Sequence, residues 1–448
     1  MNQELLKDDS ERAICNYGSI ADSHTTTTTT TDIDFLQASG QPGYGTLSVF
    51  KVSLNIVNAT VGSGVIGLPF ALVLSGFTMG IAISVWVCVL SCFAVYLLVF
   101  TGQKVGIFNF ASLAQVAMGQ IGFHLLNLML FIQSAGSVIS YFILVGDTIP
   151  VILGRYFPQY SYLANRQLVT ILVSVIIIFP LNLFRSIGAL ASWSAFSVFL
   201  LPVMIISVLI RAPYYAKDHE APLLTIGSDP IATMGIMSFA FVCSQVVFSN
   251  YLSQKNQSLG SWKITSYLST FISWFVSIAF AAIGYLSFGK DATSNIFSSF
   301  PADDHVINVG RFALGLSMVL TVPMAFFPAR DAIQKTIGFE TIGHQPTPMQ
   351  HYSVTVILFA VFLILGIQIN SLGKVYSVVG GVASSFLAYI IPGFAYIAVF
   401  HPTWVFKQQD SSLIISKTKS VWWLDIIAVI LVLFGIAVML YTIFHSVI

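Results

Sequence analysis

Between Lys51 and Lys104 the chain carries no charged side chain, and inside that stretch lies Asn58-Ala59-Thr60-Val61-Gly62-Ser63-Gly64-Val65-Ile66-Gly67-Leu68-Pro69-Phe70. A helix spans the hydrocarbon core of a bilayer in roughly 20 apolar residues, so the stretch is long enough to cross twice. The first crossing holds the glycines. Backbone groups in lipid must be hydrogen-bonded, so a helix opens at membrane depth only where protein or an aqueous cavity receives the freed N–H and C=O groups. Gly62-Ser63-Gly64 therefore reads in two ways: as the unwound turn of a discontinuous helix that binds substrate, or as small residues that let two helices pack closely. Gly62, Gly64 and Gly67 also spell the G-x-G-x-x-G of a dinucleotide site, which needs a preceding strand and an acidic residue about 20 positions on. No Asp or Glu occurs between Asp34 and Asp147, which excludes that site.

Apolar residues make up 56% of the chain and charged ones 8%, against about 25% charged in soluble chains. The class is an all-α polytopic membrane protein. A net charge of +1 says nothing about nucleic acid, and no nucleic-acid partner is expected. Cys15, Cys88, Cys92 and Cys243 fall in the N-terminal tail or in predicted crossings, with neither metal-ligand spacing nor a lumenal pair to bridge. No cluster of His, Cys, Asp or Glu and no nucleophile with an adjacent base occurs at helical spacing, so an enzyme is not expected.

Residues 1–45 form a separate regime, with mixed charges, seven consecutive threonines from Thr25 to Thr31, and a Gly/Pro stretch from Gly40 to Gly45. Such a segment cannot bury a core and is expected to be a disordered tail, with the membrane domain running over 46–448. It lacks the basic start and apolar core of a signal peptide, which keeps Met1 cytosolic. Tyr17-Gly18-Ser19-Ile20 has the form of an endosomal sorting signal. Hydropathy then places eleven crossings near 50–75, 78–101, 121–150, 167–184, 188–210, 230–251, 264–288, 306–328, 351–370, 373–399 and 421–446. With the N-terminus inside, twelve of the 19 Lys and Arg residues lie on the cytosolic side, the sense of the positive-inside rule.

An odd count suggests five plus five crossings and one extra, an inverted repeat that puts crossings one and six in corresponding places. In crossing six, Ser238, Cys243, Ser244 and Gln245 are small or polar, but the only glycine is Gly235, so a break is less legible there.

Three motifs stand in order along the chain: Asn58 to Ala71, of the form N-x-x-V-G-S-G-x-x-G-L-P-[FY]-A; Met237-Ser-Phe-Ala-Phe-Val-Cys243; and Leu320-Thr-Val-Pro-Met-Ala-Phe-Phe-Pro-Ala-Arg330. Together with Gly284 to Gly289, they resemble the amino acid/auxin permease family, and within it the sodium-coupled neutral amino acid transporter branch. The resemblance runs from about residue 45 to the end. It implies eleven helices, the first ten in two inverted repeats of LeuT-like form, with crossings one and six unwound at the substrate site.

Carried over residue by residue, the resemblance implies that Gly62, Ser63 and Gly64 offer N–H groups to a substrate carboxylate. Phe239, Ala240 and Phe241 would offer carbonyls to its amino group and an apolar wall. Ser244 and Tyr141 are further candidates for contact with substrate. It also implies a sodium site between crossings one and eight, at Asn58 and Val61 with Ser317 and Thr321, which lie one turn apart on a single helix face. Hydroxyl and carbonyl oxygens suit that hard cation without a carboxylate. The alternative for Ser317 and Thr321 is hydroxyl bonding to the preceding turn.

The remaining polar residues read as interfacial: Asp147 solvated near the outer end of crossing three, His124 at its inner boundary, Lys374 and Arg311 snorkelling from helix ends, and Asp331 paired with Arg330 at the cytosolic end of crossing eight. Two departures from the family pattern stand out. Ser244 occupies the place where many sodium-coupled members have His, and the connection from Arg211 to about Asp229 is short where many carry a long glycosylated loop. The N-x-[ST] sites at Asn58 and Asn256 fall in a crossing and a cytosolic loop.

The expected function is secondary transport of small neutral amino acids, with Na⁺ as coupling ion and no cofactor, at the plasma membrane or a vacuolar or lysosomal membrane. Membrane lipid is the other expected partner, and no obligate protein partner is evident. The alternatives are coupling to H⁺ and an amino acid sensor that signals through its tail.

Overall fold

The computed structural model describes residues 42–184, 188–223, 226–339, 346–405 and 420–447. The expected tail, with Tyr17, lies almost wholly outside them. Among the described residues every regular element is helical. Eight helices are long and apolar enough to cross a membrane, and a bent pair makes a ninth. Two shorter apolar helices occupy the places of expected crossings four and five.

Crossing one is α1 (Val49–Thr60) and α2 (Leu68–Ser75), joined by a tight 3₁₀ turn at Ser63–Gly67 and bent by 52° at the break. Then come α3 (Phe77–Val105), α4 (Phe110–Tyr156), α5 (Arg166–Asn182) and α6 (Gly188–Tyr215). Within Phe110–Tyr156 the chain is kinked at Gly119 (φ 66°, ψ −158°), so the helix that follows it begins near the expected start of crossing three at 121. Crossing six is α7 (Pro230–Phe241) and α8 (Val247–Ser253). The remainder are α9 (Leu259–Phe288), α10 (His305–Thr336), α11 (Pro348–Gln368), α12 (Leu372–Phe400) and α13 (Trp422–Val447).

The caps follow the sequence. Ser48, Asn109, Asp229, Ser258, Asp304 and Thr347 each accept a backbone N–H at a helix start, which satisfies donors that no intrahelical carbonyl can reach. In the bundle α10 packs mainly on α4 and α6, while α1 and α3 pack on α9, and α7 lies between α2 and α12. α13 packs on α12 and turns an apolar face outward, with Leu433 and Phe444 exposed.

Helix α12 is not regular throughout. It has two π-type turns, Gly380–Ser384 and Phe386–Ile390, the first of which begins where its backbone meets α7. A Cβ on Gly380 would stand 1.9 Å from the Gly235 carbonyl oxygen, so two glycines let the two backbones touch. At the start of the bundle, Leu47 pairs with the exit of crossing six: its N–H donates to the Ser253 carbonyl (2.9 Å) and its carbonyl accepts from the Lys255 N–H (2.8 Å). Residues 42–45 were expected to belong to the tail, but Gly45 is seated against the Gln254 carbonyl, where a Cβ would clash at 2.2 Å.

Two polar expectations are corrected and a third is extended. Arg311 does not snorkel: it is 2% exposed and its guanidinium donates to the carbonyls of Pro301, Phe297 and Phe300 and to Asn308 Oδ1, because the loop before α10 folds back over it. Arg330 does not pair with Asp331. It turns inward to the carbonyls of Asn182 and Phe184 at the end of α5 and to Thr355 Oγ1, while Asp331 takes Lys335 one turn on. Asp147 is bonded as well as solvated, to Arg166 Nε at 3.1 Å and Asn295 at 3.4 Å.

Candidate functional site at the two helix breaks

Crossing one opens because its sequence cannot sustain a helix there. The last regular bond is Val61 N–H to the Val57 carbonyl at 2.7 Å, and Gly62 then bonds back only to Thr60. Glycines at 62, 64 and 67 are weak helix formers. Pro69 sits in the first turn of α2, where its missing N–H costs nothing. The first N–H groups of the restarted helix have no intrahelical acceptor and carry the positive end of its dipole.

Crossing six opens in the opposite sense. α7 stops at Phe241, Val242 is extended (φ −69°, ψ 123°), and Cys243 leads into a short turn at Ser244–Val246. The last carbonyls of α7 are then without intrahelical donors, at the negative end of its dipole. The less legible break is therefore real, although neither Gly nor Pro marks it.

The two breaks touch. A Cβ on Gly64 would lie 2.8 Å from Ala240 Cα. The unwound turn of crossing one and the end of α7 thus meet in one buried region. Ser63, Phe239, Ala240, Phe241, Val61 and Ser244 are all buried. Beside Gly62 the space is open: a Cβ there would meet nothing within 4 Å. Tyr141 comes from α4 and lies near Ser63. The substrate residues expected from sequence are therefore brought together.

One member was missed. Tyr376, on α12, is fully buried and donates from its hydroxyl to the Ser63 carbonyl at 2.8 Å. Its ring stacks on Phe239 at 4.5 Å between centroids, and a Cβ on Gly67 would strike it at 2.8 Å. The nearby Gly380-Gly381 pair marks the close packing in sequence, but nothing local assigns the tyrosine. Farther along, Ser238 donates to Tyr389 Oη at 3.3 Å and Thr233 to the Ala71 carbonyl at 2.8 Å, which fix α7 to α12 and α2.

The expected cation residues are only half assembled. Ser317 and Thr321 meet Ser197 of α6: Ser317 donates to its carbonyl at 3.4 Å, and the Thr321 and Ser197 hydroxyls lie 3.2 Å apart. Thr321 also bonds to the Ser317 carbonyl at 2.7 Å, the preceding-turn bond weighed as the alternative. Val61 is buried at the break, but the Asn58 side chain is exposed on α1 and takes no part in this cluster. Ser197 is the oxygen donor that sequence reasoning did not name.

The profile of the family described as transmembrane amino acid transporter protein matches residues 45–448. The chain belongs to that family. As a member of the transmembrane amino acid transporter family it is a multi-pass membrane protein, and its relatives are transporters, not enzymes. A Bos taurus protein provisionally named sodium-coupled neutral amino acid transporter 11 is 30% identical over 349 residues, 77% of this chain and 74% of the relative. The Saccharomyces cerevisiae protein named vacuolar amino acid transporter 2 is 26% identical over 356 residues, 76% of this chain and 74% of the relative. Among solved structures, MhsT in complex with L-phenylalanine superposes with a TM-score of 0.51 at 14% identity, covering 87% of this chain and 98% of that one. An Eremococcus coleocola manganese transporter gives 0.50 at 13% identity, covering 95% and 90%. At these identities the likeness concerns the fold, a LeuT-like transporter bundle.

Proposed function

We propose that this family member is a secondary active transporter of small neutral amino acids, coupled to Na⁺ and working by alternating access. One observation carries the reading: the unwound turn at Ser63–Gly64 and the end of α7 at Phe239–Phe241 meet in one buried region through the Gly64 to Ala240 contact, which puts the positive end of one half-helix beside the negative end of the other. A zwitterion needs donors at its carboxylate and acceptors at its ammonium. The open space beside Gly62 takes the carboxylate end, and Phe239 and Phe241 give an apolar wall that favours uncharged side chains. Tyr141 completes the enclosure, and Ser244 stands at the restart of crossing six.

Sodium coupling is supported by the bovine relative's name and by the hydroxyl group of Ser197, Ser317 and Thr321. Three neutral oxygens suit a hard cation. Asn58 and Val61 join this group when α1 closes on α10. The excess of Lys and Arg on one side favours a cytosolic N-terminus. The yeast relative's name favours a second reading, in which the same fold works in a vacuolar or lysosomal membrane with H⁺ as coupling ion.

Uptake of a labelled amino acid panel into proteoliposomes, under an imposed Na⁺ gradient or an imposed pH gradient, decides between them. Uptake of neutral amino acids driven by Na⁺ is the expected result. Uptake driven only by pH replaces the coupling ion. Binding without flux under either gradient replaces transport by sensing.

A further inference from the structure

Tyr376 lies where a transport role has to be explained by more than packing. Its hydroxyl hydrogen donates to the carbonyl of Ser63, and that carbonyl belongs to the peptide unit whose N–H is that of Gly64. A peptide that accepts a hydrogen bond at its oxygen is polarised, and its own N–H becomes the stronger donor. The same ring is stacked on Phe239 and walled by Gly67, so the hydroxyl cannot be aimed elsewhere without moving crossing one or crossing six. The glycine contacts of α12 with α7 fix the helix that presents the ring, at Gly235 and Gly380.

We infer that Tyr376 is a positioning residue for carboxylate recognition: it fixes the Ser63–Gly64 peptide plane and strengthens the Gly64 N–H that meets the substrate carboxylate. The inference rests on the reading that this turn takes the carboxylate. It assigns the residue a task that Tyr389 does not have. Tyr389 also joins α12 to α7 through a tyrosine hydroxyl, but its partner is the Ser238 side chain, away from the unwound turn.

The experiment measures competition by an amino acid and by its carboxamide, against uptake of one labelled neutral amino acid, in wild type, Tyr376→Phe and Tyr389→Phe. Wild type is expected to prefer the free carboxylate. Tyr376→Phe is expected to lose about fivefold of that preference, the scale of one hydrogen bond, while Tyr389→Phe keeps it. A purely structural Tyr376 would weaken both competitors equally and leave the ratio intact, which overturns the inference. A wild type that does not distinguish acid from amide overturns the carboxylate reading itself, and the inference with it. A second variant covers the case in which Tyr376→Phe does not fold. Fluorotyrosine at position 376 keeps the ring and makes its hydroxyl a stronger donor, so the preference is expected to rise, and an unchanged ratio refutes the role.

Discussion

Gly64 and Ala240 approach so closely that the missing Cβ of the glycine is what lets crossings one and six meet. Gly64→Ala places a methyl group 2.8 Å from the Ala240 Cα, and backbone on both sides must move. We expect a loss of stability of about 1–3 kcal/mol, typical of overpacking, together with loss of uptake. Thermal unfolding in detergent alongside proteoliposome flux checks both.

Gly62 is the contrasting position. A Cβ there meets nothing in the protein, so Gly62→Val is expected to insert and fold with little change in melting temperature, yet abolish uptake by filling the space assigned to substrate. Undiminished flux would remove Gly62 from the site.

For the cation, Thr321→Ala and Ser197→Ala remove oxygens from one hydroxyl cluster. Each is expected to raise the Na⁺ concentration for half-maximal uptake about fivefold, the scale of one lost interaction. The apparent amino acid affinity at saturating Na⁺ should stay nearly constant. An unchanged Na⁺ curve in both variants would place the coupling ion elsewhere.

Arg311 is held by four acceptors, three of them loop carbonyls. Arg311→Ala leaves those groups buried and unpaired, and the cost expected is about 3 kcal/mol. Arg311→Lys, a point charge without the fork, is expected to recover only part of it. Melting temperatures of both variants test the ranking.

Asp304, at the start of α10, gives the pH dependence. Burial opposes its charge, but the Ile307 N–H, the Arg211 guanidinium and the Tyr215 hydroxyl donate to it and together hold the carboxyl below its ordinary value. A depressed carboxyl stabilises the fold fully above its unfolded value, about 3.9. That contribution is lost as the pH falls through the folded value. Wild type is therefore expected to lose melting temperature as the pH drops below about 4, and Asp304→Asn to start lower at neutral pH and fall less. Equal acid slopes would rule out this origin.

Legibility differed between the two broken spans for a physical reason. The break in crossing one is written locally, in Gly62, Gly64, Gly67 and Pro69. Crossing six breaks at Val242 and Cys243, residues that are acceptable in a helix, so its break is set by neighbours: Gly64 against Ala240, and Gly235 against Ser377 and Gly381. The same holds for the misplaced arginines. Position near a helix end suggested snorkelling for Arg311, but its acceptors come from a loop whose path no local pattern gives. Tyr376 was invisible for a related reason, since its role depends on a partner at Ser63, far away in the chain. The hydroxyls of Ser317 and Thr321 could be placed on one face from spacing alone, while the third oxygen, Ser197, came from another helix.

The pairing of Leu47 with Ser253 and Lys255 has a mechanical consequence. It rivets the approach to α1 to the end of α8, so the two half-helices on that side of the breaks are geared as one lever. A displacement at Leu47 cannot be confined to one broken span, and Gly45, wedged against Gln254, leaves no room for a side chain at that joint.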